Sequence, residues 1–173
     1  MIQGGPTVTW RFGEDATHPE LVLNMIDPKA PPPPRTDEDF QNELADLNGS
    51  LWRKPDAFDK TLEWWALKEG VAIANSGTKE VKRITELLGE TDFAATCIAF
   101  SKDKVWLGTS KGLFAWDRTD MFWTRFAIGG TMIEATVTDL SLADDGILRV
   151  SFSDPQGAAQ KFDYDTQKGT WGK

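Results

Sequence analysis

The chain has 173 residues, 27 acidic against 19 basic side chains, a net charge of −8 and a pI near 4.7. That length is enough for one ordinary domain with a sizeable core. The acidic balance, with no basic patch interleaved with aromatics, argues against nucleic acid and anionic membrane surfaces as partners.

Residues 1–27 are expected to form a β-hairpin. Thr7–Phe12 alternates, with Val8, Trp10 and Phe12 spaced by two, and Glu20–Ile26 is the second strand. His18, the only histidine, sits in the loop between them before Pro19. Triads, two-histidine metal sites and His–Cys pairs all need more than this lone side chain. Residues 28–50 read as a Pro-rich linker followed by a short helix. The four consecutive prolines within Asp27–Arg35 favour an extended polyproline II spacer, with an SH3-type ligand as the other use of such a run. Thr36–Leu47 reads as the helix, with Thr36 as N-cap and Asp39 three residues on, a weaker form of the capping box. Phe40, Leu44 and Leu47 make one apolar stripe suited to covering a sheet edge or face.

Residues 51–92 read as a degenerate first repeat. Thr61–Lys68 and Gly70–Asn75 are expected strands, and Asn75–Thr78 a turn. Lys79–Leu87 is read as the last strand of this repeat, with a short helix over 79–88 as the alternative, because Val81, Ile84 and Leu87 also fit helical spacing. Aligning Val71 and Ile73 with Val105 and Leu107 gives a spacing too short for a repeat of this kind.

Residues 93–130 and 131–173 carry the clearest repeat. Four short apolar runs, Thr96–Phe100, Val105–Thr109, Leu113–Trp116 and Phe122–Phe126, lie between tight turns. In the second copy Ile98, Phe100, Val105 and Leu107 align with Leu140, Leu142, Ile147 and Arg149. Phe114, Trp116, Asp117 and Trp123 align with Phe162, Tyr164, Asp165 and Trp171, the extra residues falling in Ser153–Ala158. Leu107 against Arg149 is the poor match. Gly108, Thr109, Ser110 and Gly112 are read as a tight turn. Four strands per unit, at a spacing in the forties, is what one blade of a β-propeller needs. The fold class is therefore mainly β, a partial or fragmentary β-propeller of four-stranded antiparallel blades with one short helix after the Pro-rich linker. At about 45 residues per blade, even four blades would need about 180 residues. The chain is thus expected to be part of a larger propeller, or a partial ring that closes with a partner.

The stretch KDKVWLGTSKGLFAWD resembles the propeller repeat of two-component-regulator sensor ectodomains. Val105-Trp106-Leu107-Gly108-Thr109 and Gly112-Leu113…Trp116-Asp117 carry the match, while Asp103-Lys104 stands where that family has Asp-Gly. The second copy keeps Asp145-Gly146-Ile147-Leu148 but loses the Gly-Thr…Gly-Leu portion. The resemblance covers about one repeat well, and it implies fold far more than activity. It implies a non-catalytic module of a sensor or receptor, with a protein or a glycan as partner.

No residue set selects a reaction. Asp144-Asp145-Gly146 reads as a hairpin turn. Asp163–Gly169 superficially resembles a calcium loop but has Gly at position 7 and no Glu at position 12. Gly4-Gly5 and Gly129-Gly130 lack a phosphate-loop frame. Cys97 reads as a buried small hydrophobe. No cofactor, no metal and no catalytic residue is expected; a propeller-fold lyase or hydrolase and a structural assembly subunit stay open as alternatives. The chain has eight tryptophans, which in propeller blades commonly serve as packing between sheets. The candidate binding residues are Trp64, Trp65, Trp116 and Trp123, since exposed indole faces stack on sugars or anchor peptides. Adjacent on one strand, Trp64 and Trp65 point to opposite faces, so both are buried only if both faces are covered.

Overall fold

The computed structural model describes residues 8–11, 20–23, 35–131 and 133–172, in two units, Met1–Pro34 and Arg35–Lys173. In the first unit, β1 (Val8–Arg11) and β2 (Glu20–Leu23) pair antiparallel with Val8 opposite Leu23. His18, Gly4-Gly5 and the proline run lie outside the described residues.

In the second unit one helix, α1 (Asp37–Ala45), precedes three four-stranded antiparallel sheets, each a simple meander. Sheet 1 holds β3 (Trp52–Pro55), β4 (Leu62–Ala66), β5 (Val71–Asn75) and β6 (Glu80–Ile84). Sheet 2 holds β7 (Ala95–Phe100), β8 (Lys104–Thr109), β9 (Gly112–Asp117) and β10 (Trp123–Phe126). Sheet 3 holds β11 (Thr136–Leu142), β12 (Ile147–Ser153), β13 (Ala159–Asp165) and β14 (Thr170–Gly172).

In the segment 79–88 the strand reading holds over the helical alternative: Glu80–Ile84 is β6, paired with β5. The strand registers correct the sequence alignment at two points. Leu62 pairs with Asn75 as Lys104 pairs with Asp117, so β5 is the counterpart of β9, not of β8. The spacing that looked too short came from matching a third strand to a second one. Finally, Phe100 pairs with Val105 but Leu142 pairs with Leu148, so the β11–β12 turn holds one residue more than the β7–β8 turn. Val105 and Leu107 therefore correspond to Leu148 and Val150. A one-residue slip exchanges the two faces of a strand, which is why Leu107 against Arg149 looked wrong. Arg149 corresponds to Trp106.

In this register the packing repeats. The second strands of sheets 1 and 2 each send a tryptophan forward into the next sheet. Trp64 of β4 meets Trp116 and Trp123 edge-on, at centroid distances of 5.9 and 6.3 Å. Trp106 of β8 meets Tyr164 at 5.6 Å, and Tyr164 in turn contacts Trp171 at 4.9 Å. The first interface has Trp64, Val71, Val105, Leu107 and Phe114 at its core, the second Trp106, Leu113, Leu148, Val150 and Phe152. Gly108 lies inside β8, not in a turn. A Cβ there would stand 2.7 Å from Val137 Cγ1 and 2.5 Å from Cys97 Sγ, so glycine permits the close approach of sheets 2 and 3.

The two ends of the stack are finished differently. The rear face of sheet 1 places Ala74 and Val81 where sheets 2 and 3 place their receiving aromatics, and α1 fills the space. Phe40 and Leu47 pack with Trp65, Ala72 and Ala74, joined by Leu44 and Val81. Thr36 and Asp39 form the reciprocal capping box. Lys79 holds the helix at its start through Asp37, at 2.9 Å. The forward face of sheet 3 carries Arg149, Ser151, Lys161 and Asp163 where sheet 2 carries Trp106, Gly108, Leu113 and Ala115. That face of sheet 3 therefore lacks the apolar socket that joins sheets 1 and 2 and sheets 2 and 3.

The turns after the third strands repeat as well. Asn75, Asp117 and Asp165 each accept backbone N–H bonds through Oδ1 from the residues two and three positions on. The left-handed residue closing each turn is Lys79, Met121 and Gly169, with φ of 60°, 58° and 69°. Met121 is also 66% exposed. A non-glycine residue in that region costs about 1 kcal/mol or more. Met121→Gly is therefore expected to stabilise the chain by up to about 1 kcal/mol, read as a higher urea midpoint with an unchanged slope.

Candidate functional site

The side chains with chemistry to offer collect at the rim formed by the first-to-second and third-to-fourth turns. Its fixed point is Asp56, which follows β3 and is 4% exposed. The Asp56 carboxylate accepts bonds from Phe58 N–H and Asp59 N–H at 2.9 and 3.1 Å and from Trp64 Nε1–H at 3.2 Å. Arg118, in the turn after β9, donates Nη2 to both Asp56 oxygens at 2.8 and 2.9 Å and Nε to Ser101 O at 3.1 Å. A buried carboxylate is tolerable only when paired and hydrogen-bonded in this way. The cluster locks sheet 1 to sheet 2 and sets Trp64 at their junction.

Beside the lock a groove of about 650 Å3 lies between sheets 1 and 2, with Phe58, Leu62, Trp116 and Met121 as its apolar wall and Asp59, Lys102 and Arg118 among its polar groups. Phe58, Met121 and Phe122 are 55, 66 and 50% exposed, an unusual concentration of large apolar side chains on one rim. The Arg118 guanidinium stands 5.9 Å from the Phe58 ring centroid. A second groove, of about 520 Å3, opens between sheets 2 and 3 on the same rim. At the opposite strand ends a third, of about 410 Å3, includes Arg125, which is bonded to Glu90 and to Lys111 O.

The four candidate tryptophans divide. Trp64 is fully buried and its N–H is committed to Asp56. Trp65 is 5% exposed, sealed by α1 on the other face with Arg53 5.0 Å from its ring centroid. Neither offers a ring to a ligand, because both faces of β4 are covered. Trp116 is half-buried and lines the first groove, and Trp123 is half-buried against Trp64. Asp56, Phe58, Arg118 and Met121 went unnoticed in the sequence. The one available signal was Met121, a large apolar residue in a turn position where Gly169 stands in the next copy.

Lys104 and the turn amides of Asp120 and Thr119 hold the Asp117 carboxyl down at about 2, the Lys104 hydrogen bond contributing most. A carboxyl depressed on folding stabilises the fold above its unfolded pKa of about 3.9, and that contribution is lost as pH falls towards the folded value. Stability should therefore drop between pH about 4 and about 2. Asp117→Asn, which keeps the turn acceptor but cannot ionise, should flatten that limb in chemical denaturation measured across the range. Burial pushes the Cys97 thiol up to about 11, so it stays a neutral packing group at ordinary pH. Among the described residues no group of three or more His, Cys, Asp or Glu is arranged to hold a metal, and no helix is long and apolar enough to cross a membrane.

No family model matches the chain, and no curated protein matches it. Solved structures do. The chain is similar to part of the extracellular domains of sensory systems from B. thetaiotaomicron. Two structures of the BT4673 domain, described as one-component and as hybrid two-component, match with TM-scores of 0.53 and 0.51 at 17 and 19% identity. They cover 76 and 72% of this chain. The BT3049 hybrid two-component domain matches with a TM-score of 0.48 at 18% identity over 69% of the chain. This chain spans only 14–16% of the length of those three. The likeness is one of fold.

Proposed function

We propose that the chain is a non-catalytic recognition module, a partial β-propeller of three four-stranded blades belonging to a sensor or receptor. The observation that carries this reading is the repeated interlock, in which Trp64 meets Trp116 and Trp123 of the next sheet and Trp106 in turn meets Tyr164 of the sheet after it. One meander sheet cannot bury its own faces, so a repeated sheet-to-sheet socket is the packing solution of radial and solenoid folds. The fold likeness to extracellular sensor domains supports the sensory role. The buried Asp56 is ion-paired to Arg118, so it serves the frame rather than proton transfer. The groove beside Trp116 and Phe58 combines aromatic surface with polar rims, the mix used to bind a glycan or a protein segment without making or breaking a bond.

Isothermal titration of the purified chain with neutral oligosaccharides tests the reading, with chromatography of the sugars afterwards. Saturable binding that Trp116→Ala weakens at least tenfold, about 1.4 kcal/mol, with the oligosaccharide recovered intact, is the expected result. Shortened products would show an enzyme. The exposed Phe58, Met121 and Phe122 favour a second reading, an assembly subunit docking a protein through this rim. Concentration-dependent association, relieved by Phe58→Ser with Phe122→Ser, would favour that reading.

A further inference from the structure

The two sheet-to-sheet junctions are built to one plan, and the second lacks parts that the first contains. Asp56 N–H donates to Leu62 O just after β3, and Ser101 N–H donates to Lys104 O just after β7. Asp56 and Ser101 are thus counterparts. Arg118 N–H donates to Asp103 O just after Asp117, and Thr166 N–H donates to Gly146 O just after Asp165. Arg118 and Thr166 are counterparts too. In the first junction the indole N–H of Trp64 is answered by the Asp56 carboxylate, which the Arg118 guanidinium closes over. In the second, the tryptophan remains as Trp106, but the carboxylate has become a serine and the guanidinium a threonine. Ser101 Oγ is occupied with Lys104, and Thr166 Oγ1 with Gly146 O.

Two consequences are visible. Trp106 Nε1 is buried with no hydrogen-bond partner among the described residues, and an unanswered buried donor is costly. The groove of about 520 Å3 opens at this position, its wall including Trp106, Ser101, Thr166 and Tyr164. Lys102 and Lys104 contribute cations, while Asp103 and Asp144 contribute carboxylates. Lys104 already pairs with Asp117.

We propose that this groove binds a small zwitterion, an α-amino acid. Its carboxylate would stand where Asp56 stands in the first junction, accepting the Trp106 N–H, and its ammonium would replace the missing guanidinium, facing Asp103 and Asp144. A simple anion fits less well, because those two aspartates would repel it. A strand-adding peptide is disfavoured, since the groove lies at the turn ends of the sheets rather than along a free strand edge. The volume falls in the range of small-ligand sites, about 300–1,000 Å3. The proposal rests on the recognition-module reading, because binding without chemistry is what it assigns.

The test is an indole N–H titration of the 15N-labelled full chain, using L-leucine and, in parallel, N-acetyl-leucinamide, which lacks both charges. The expected result is a saturable shift of the Trp106 Nε1–H signal with L-leucine and none with the blocked analogue. Ser101→Asp with Thr166→Arg, which rebuilds the first junction's lock in the second, should abolish the shift. Asp144→Lys, at an exposed position that leaves folding intact, should weaken it at least tenfold. An unmoved Trp106 signal, an equal response to the blocked analogue, or a shift insensitive to Asp144→Lys overturns the proposal. A chain that binds an oligosaccharide in the earlier titration but gives no Trp106 response keeps the recognition reading and loses this site. A chain that responds to L-leucine through Trp106 alone keeps this site and discards the oligosaccharide.

Discussion

Asp56→Ala should cost about 3–5 kcal/mol, the range for removing one partner of a buried ion pair. The substitution strands three kinds of donor at once: the Arg118 guanidinium, the Trp64 indole and the two loop amides. Arg118 is only 14% exposed, so water cannot fully answer it in place of the carboxylate. The measurement is urea unfolding of Asp56→Ala, Arg118→Ala and the double variant. Because both residues belong to one network, the double variant should lose clearly less than the sum of the singles. Additive losses would mean that the pair is not coupled and that the lock is incidental to the junction. Replacing Asp56 and Arg118 together by Leu and Met should recover much of the loss, since apolar substitutes avoid desolvating two charges.

Gly70→Ala is expected to be about as damaging, at about 3 kcal/mol or more, by a backbone mechanism. Gly70 has φ of +104°, where an L side chain is strained, and a Cβ there would lie 2.2 Å from Ile84 O. Ile84 is the last residue of β6, and the Gly70 N–H donates to Phe93 O at 2.7 Å, so neither side can retreat. Gly49 is the internal control, with φ of +106° but nothing within 4 Å of an added Cβ. Gly49→Ala pays only for conformation and should cost about 1 kcal/mol. Thermal and urea unfolding of the two variants should separate the terms, and equal losses would show that the contact with Ile84 is not what makes Gly70 necessary.

Local physics was readable wherever one segment decides its own structure. The alternation in 96–126 and 136–172 marks the strands, because a strand buried on one face or both needs its apolar residues at fixed parity. Thr36 and Asp39 mark the helix start, because the first-turn amides need acceptors wherever the helix ends up. Asn75, Asp117 and Asp165 mark the turns, because their side chains bond amides two and three residues on. The alignment of the copies was less readable. Parity repeats every two residues, so one extra turn residue before Ile147 is invisible to an apolar pattern and yet exchanges both faces of β12.

The binding site was the least readable part. Trp64, Trp65, Trp116 and Trp123 each sit on a strand, and parity says only that Trp64 and Trp65 face opposite ways; exposure depends on what another segment lays over that strand. The residue pattern by itself determined a mainly β chain with one capped helix and repeated four-strand units, because hydrogen bonding and side-chain parity are settled within a few residues. Only the tertiary structure decided that α1 seals Trp65, that Arg149 and Lys161 lie on one polar face of sheet 3, and that Arg118 reaches an aspartate 62 positions away. Such choices are made by contacts between segments whose separation along the chain carries no local signal. The same cause left Trp106 without the carboxylate that answers Trp64.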